Sequence, residues 1–180
     1  MFISDKNLSL RIAEPEDAEQ IYVWENDRTI WRVSGTHSPY SRFQIEQFLL
    51  GNSDLTVQKQ LRLMIHLEDV KQAIGCVDIV DYDAVNERAE IGILIDNAFR
   101  QQGYAATALK LVLDYLFIDL MLHQAYCFID EQNDISQHLF LGLGFTVCGR
   151  RRQWIKTPNG FIDQLEYQIL NPKYGQTQNQ

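Results

Sequence analysis

Glu90-Ile91-Gly92-Ile93-Leu94-Ile95, a short loop, and Arg100-Gln101-Gln102-Gly103-Tyr104-Ala105 form the stretch on which the reading of this chain turns. A strand ends, a loop follows, and a helix begins. The first N–H groups of a helix have no partner within it and carry about half a positive charge. Together they make an anion site suited to a pyrophosphate. Gly103 and Ala105 are small, so the backbone there can be approached closely. The plainer alternative is an ordinary strand-to-helix corner eased by glycine. A P-loop is excluded, because GxxxxGK[ST] is absent. The three-glycine dinucleotide fingerprint is missing too, and the strand before the loop follows a meander instead of opening a Rossmann unit.

Outward from this stretch, the pattern alternates between two periods. Downstream, Gly103 to about Leu120 is helical, with Ala105, Leu109, Val112 and Leu116 on one stripe. Gln124 to Ile129 reads as a short buried strand and Asn133 to Leu143 as a second amphipathic helix. Phe145 to Ile155, a turn at residues 157–160, and Phe161 to Ile169 read as a closing hairpin. Upstream, Leu61–Leu67, Ala73–Val80 and Arg88–Ile95 are three strands joined by short polar turns, an antiparallel meander. Near the start, Leu8–Ala13 alternates as a strand. Pro15 with Glu16, Asp17 and Glu19 then opens a helix to about Asn26, burying Ala18, Ile21, Tyr22 and Trp24. Ser41, with Gln44 three residues on, caps another helix with Phe48 and Leu49 among its core contacts. The strand from Arg88, the helix from Gly103 and the strand from Gln124 make a βαβ unit, so those two strands run parallel.

The expected fold is therefore α+β. A mixed, mostly antiparallel sheet of six to seven strands is flanked by about four helices, in the order β-α-α-β-β-β-α-β-α-β-β. One domain is expected over residues 1–174, with 175–180 as a disordered tail.

With 180 residues, the chain suits one domain. No stretch approaches the ~20 apolar residues of a membrane helix, and MFISDKNLSLRIAEPED lacks the regions of a secretory signal. The expectation is a cytoplasmic protein with no membrane partner. A net charge of −8 disfavours nucleic acid, whose phosphates need a basic patch, and is compatible with a cationic substrate such as an amine. Cys76, Cys127 and Cys148 form no CxxC pair, and no HxxH or HExxH spacing occurs, so no metal site is expected. Cys76 and Cys127 sit in apolar runs and read as buried, reduced thiols.

The chain resembles the GNAT acetyltransferase superfamily over nearly its whole length. Arg100 to Ala105 matches that family's Q/R-x-x-G-x-G/A acyl-CoA loop. Glu131-Gln132-Asn133-Asp134-Ile135-Ser136, with Leu139 to Phe145 after it, matches E-x-N-x-x-[AS]…L-Y-x-x-x-G-F. The opening LRIAEPEDAEQIYVWEND looks like the bacterial branch of ribosomal-protein N-terminal and spermidine acetyltransferases. The resemblance implies acetyl-CoA as cofactor. The strand Ile93-Leu94-Ile95 would splay from its neighbour and pair with the pantetheine amides. Arg100, Gln101, Gln102, Gly103, Tyr104, Ala105 and Ala106 would hold the pyrophosphate, and Asn133 and Ser136 would lie near the pantetheine.

The chemistry then sets its own needs. A primary amine of pKa about 10.4 is over about 99% protonated at pH 7, so a base is useful. Glu90 is the candidate general base, on the strand leading to the cofactor loop; its other reading is an ion pair with Arg88 or Arg62. The backbone N–H of Leu94 is the expected oxyanion donor. The family usually has a tyrosine acid seven residues after the asparagine, and Phe140 stands there instead. Either the thiolate, of pKa near 8.5, leaves unaided or through water, or the enzyme is slowed. Phe140 could still pack against the cofactor. Trp24, Glu25, Asp27 and Trp31 fall where this branch builds its substrate wall, and a carboxylate among aromatics suits an ammonium. Helix surface and core aromatics are their other reading.

The acceptor expected first is a polyamine such as spermidine. A protein N-terminal amine is the nearest rival, with amino sugars third. A non-catalytic acyl-CoA sensor is the rival of another class. Homodimerisation through the sheet edge or the C-terminal hairpin is the default expectation.

Overall fold

The computed structural model describes residues 3–5, 7–51 and 54–173, with the backbone alone described at 32 and 33. Residue 174 and the tail expected over 175–180 lie outside the described residues. Eight strands form one sheet in the order β1-β2-β3-β4-β5-β6-β8-β7. The strands are β1 (Ile3–Asp5), β2 (Leu8–Ile12), β3 (Leu61–Leu67), β4 (Gln72–Asp83), β5 (Arg88–Ile95), β6 (Gln124–Asp130), β7 (Thr146–Thr157) and β8 (Gly160–Leu170). The helices are α1 (Ala18–Glu25), α2 (Trp31–Ser34), α3 (Arg42–Gly51), α4 (Leu55–Gln58), α5 (Tyr104–Asp114) and α6 (Asp134–Gly142). Every neighbouring pair is antiparallel except β5 with β6.

The expected order of the larger elements holds, and four features differ. The sheet gains β1, a three-residue edge strand too short to show alternation. Two one-turn helices, α2 and α4, appear where none was expected. In α4 the Asp54 carboxylate accepts from the N–H groups of Thr56 and Val57, a cap that fixes a turn in a sequence of no helical length. The helix expected to run unbroken to Leu120 stops being α-helical at Asp114 and widens into a π turn, Tyr115–Asp119, which keeps Leu116 and Phe117 inside.

The alternation of strand residues gives the sheet two covered faces. One carries Leu63, Ile65, Ile79, Ala89 and Ile91 against Leu109, Val112 and Leu116 of the βαβ crossover. The other carries Met64 and Cys76 against Ile21, Trp24, Ile45 and Leu49 of α1 and α3, with Leu94 beside them. Ser41 and Gln44 form the expected capping box, each side chain accepting from the other's N–H at 3.2 and 2.8 Å. The second face is thus covered over β3 and β4 and bare over β6, β8 and β7.

Candidate functional site

The parallel pair β5–β6 is joined at only three rungs, Arg88–Gln124, Ala89–Ala125 and Glu90–Tyr126. Beyond Glu90 each strand keeps its outer partner: β5 stays with β4 to Ile95–Gly75, and β6 with β8 to Asp130–Gln164. A wedge opens between them. Backbone direction alternates along a strand. The N–H of Asp96 donates to Ile74 on β4, and the carbonyl of Glu87 accepts from Gln124 on the β6 side. By that alternation the main-chain groups of Ile93 and Ile95 face the wedge, while those of Leu94 face β4. The N–H of Leu94, the expected oxyanion donor, thus faces β4, and the neighbouring N–H groups of Ile93 and Ile95 lie on the open side.

At the wide end, Arg100 is an exposed residue of the loop. Its Nε donates to the Ile95 carbonyl at 2.9 Å and ties the loop to the end of β5. Gln101 lies in the left-handed region at φ 61°, and Gln102 reaches the Ala98 carbonyl at 3.4 Å. Gly103 is the N-cap of α5 at φ 84°, offers no capping side chain, and has open space where a Cβ would stand. The amides of Tyr104, Ala105 and Ala106 follow as the first turn of an eleven-residue helix. This end fits a diphosphate: N–H groups without a side-chain cap, a positive helix end and no side chain over the approach.

At the closed end, the bare face of the sheet holds a cup of about 380 Å³. Asp81, Glu90 and Glu166 supply its carboxylates, Tyr126 and Phe128 its aromatic wall, and Arg88 and Arg151 its cations. Glu90 pairs with neither Arg88 nor Arg62. Arg88 lies 3.4 Å from Asp83, and Arg62 binds Asp78 and Glu25, both at 2.6 Å. Partial burial raises the Glu90 carboxyl above its ordinary range, Asp81 and Glu166 add to this, and Arg151 opposes it. Arg151 lies 3.9 Å from the centre of the Phe128 ring. The Tyr126 hydroxyl donates to Asp81 at 2.7 Å.

The other expected residues divide. Phe140 is buried and meets Phe145 edge-on with centroids 5.0 Å apart. Asn133 caps α6, its Oδ1 accepting from the Ser136 N–H at 3.2 Å. On the acceptor side Trp24 is a core residue whose Nε1 donates to Asp96 at 2.9 Å. Glu25 is neutralised by Arg62, and Asp27 accepts from the Thr29 N–H in an exposed turn. Trp31 donates to the Glu25 carbonyl at 2.9 Å. None of these four lines the cup: Trp24 packs in the core and Glu25 pairs with Arg62. The sequence reading missed Asp81, Tyr126, Arg151 and Glu166, which come from four strands. Alternation places Tyr126, Arg151 and Glu166 on the same face as Glu90 only once the strand order is known, and Asp81 reaches that face only through the register slip after Val80.

Residues 7–146 match the acetyltransferase (GNAT) domain family. A spermidine N(1)-acetyltransferase of Escherichia coli is 30% identical over 146 residues, which span 81% of this chain and 76% of that one. Among solved structures, spermidine N-acetyltransferase from Vibrio cholerae in complex with CoA and spermine superposes with a TM-score of 0.84 at 27% identity, covering 94% of this chain and 99% of the other. A dodecameric structure of the Vibrio enzyme gives 0.79 at 26%, covering 98% and 100%.

Proposed function

The chain belongs to the GNAT acetyltransferase family, and from that premise we propose that it acetylates a primary amine of a polyamine such as spermidine. It is an N-acetyltransferase that uses acetyl-CoA, which supplies an acyl group activated as a thioester. The observation that carries the choice of amine is the cup: three carboxylates and two aromatic rings at the vertex of the wedge, with Arg151 facing them and Arg88 drawn to Asp83 outside. A flexible polycation is held by carboxylates and ring faces. The relatives' own substrates point the same way.

In this reading the open edge of β5, at Ile93 and the Ile95 N–H, pairs with the pantetheine arm as an added strand would. The first amides of α5 hold the pyrophosphate, with Arg100 keeping the loop in place. Asn133 and Ser136 close the far side of the wedge. Glu90 takes the proton from the ammonium, directly or through a water, and its raised proton affinity brings it nearer the working pH. The Ile93 N–H steadies charge growing on the carbonyl oxygen. Phe140 brings no proton, so the thiolate leaves unaided or through water. The protein works in the cytoplasm, and copies associate.

The test is release of free thiol from acetyl-CoA in the presence of spermidine, spermine, peptides with free N-termini and amino sugars. The expected result is turnover with the polyamines at a kcat/KM at least about tenfold above the other classes. Preference for the peptides would move the assignment to protein N-termini. Coenzyme binding with no amine-dependent thiol release would make the chain a sensor.

A further inference from the structure

The Tyr126–Asp81 contact is an unusual one for a sheet. Asp81 lies on β4 and Tyr126 on β6, with β5 between them. Two strand spacings are about 9–10 Å, so a bond between side chains must pass over the middle strand. Two features allow it. The β4–β5 register slips between Val80 and Asp83, which takes Asp81 and Tyr82 out of the ladder, and the Tyr82 N–H turns to the Lys59 carbonyl instead. Asp81 adopts φ 49°, a left-handed conformation that aspartate tolerates better than most residues. Tyr126 itself stands on the last rung of the β5–β6 pair, opposite Glu90. The bridge therefore sits at the vertex of the wedge, in the same cup as the Glu90 carboxyl.

We propose that Asp81 is a positioning residue for the reaction, tethered by Tyr126 so that its carboxylate is held in the cup that also holds Glu90. The inference rests on Glu90 being the base. A carboxylate held near another makes the second harder to ionise. The remaining groups around Glu90 are Arg88 on its own strand, Gln124, Tyr126 and Phe128 on β6, Glu166 and Gln168 on β8, and Arg151 on β7. Cys127 lies on the opposite face of β6, in the core. Arg88 has Asp83 as its partner. Glu166 acts in the same sense as Asp81, and Arg151 in the opposite sense. Tyr126 keeps its proton throughout, because burial and the Asp81 charge both push its ionisation up. The bridge thus fixes the position of one charge without adding a second titration.

The experiment is the pH profile of kcat/KM for the amine at saturating acetyl-CoA. Asp81→Asn keeps an oxygen that accepts from Tyr126 and removes the charge. Its acidic limb is expected to move to lower pH, with the basic limb, set by the amine, in place. Tyr126→Phe keeps the charge and removes the tether, and its acidic limb is expected to move the same way by less. Should Asp81→Asn not fold, the Tyr126→Phe profile answers the question alone. Glu90→Gln is the control and is expected to abolish the limb. If it does so while the limb stays put in Asp81→Asn, or in Tyr126→Phe where that variant answers alone, the positioning role is rejected and the base stands. If the limb survives Glu90→Gln, Glu90 is not the base and both readings fall.

Discussion

Phe140 is the residue at which this chain departs most from the motif it otherwise follows. Its ring is 3% exposed and its nearest ring is Phe145, so it contributes packing whether or not coenzyme is bound. Phe140→Tyr adds one oxygen and, in the proposed reaction, would offer a proton to the leaving sulfur. The expected result is a kcat raised by about tenfold or more, since a positioned acid contributes roughly 10² to 10⁴. An unchanged kcat at full acetyl-CoA occupancy would show that the thiolate needs no help. The thiols play no such part: burial pushes Cys76 up to about 12, and Cys127 rises for the same reason. Trp24 shows where residue-level reading is weakest. An indole near a carboxylate reads equally well as a ligand wall or as core. Only the depth of α1 against β3 and β4, with Asp96 waiting for its N–H, decides between them.

Among the elements, β4 controls the wedge from behind. Gly75 pairs with Ile95, and a Cβ there would lie 2.2 Å from the Leu94 carbonyl oxygen, a backbone atom that cannot swing aside. Gly75→Ala is therefore expected to push β5 outward at the rung below the coenzyme edge. Stability should fall by roughly 1–3 kcal/mol. The KM for acetyl-CoA should rise severalfold and the KM for the amine much less. A thermal melt with steady-state kinetics checks it, and a melt shifted with both constants unchanged would break the link between β4 and the coenzyme. The long elements were legible in the sequence because their periods are distinct: the meander over 61–95, the crossover from Gly103 and the capped helix at Ser41. The short ones were not, because β1, α2 and α4 hold three or four residues each. The coenzyme half of the proposed site could be drawn from the sequence for a local reason, since strand, loop and helix start are contiguous. The cup was not, because Asp81 and Tyr126 are 45 residues apart and meet only through strand order and a register slip.

At the scale of the molecule, the sheet ends in unequal edges. β1 offers three residues, whereas β7 runs for twelve, and its hairpin exposes Val147, Trp154 and Phe161 by 52–60%. A long edge with apolar side chains invites pairing. In solution the protein is expected to have a mass that is a multiple of 21.0 kDa by light scattering, with Trp154→Lys shifting it toward one copy. A wild-type protein of one-copy mass at micromolar concentration would refute association through this hairpin. Among the described residues, three rungs and the His123 N–H on the Glu87 carbonyl are also all that backbone pairing supplies between the five strands before the wedge and the three after it. Such a seam is the crack along which the molecule would first breathe, and it coincides with the slot proposed for the acyl carrier. Loading then acts as a rivet. The emptied protein should be nicked sooner by proteases on either side of the slot, so its lifetime would follow the supply of its own acyl donor.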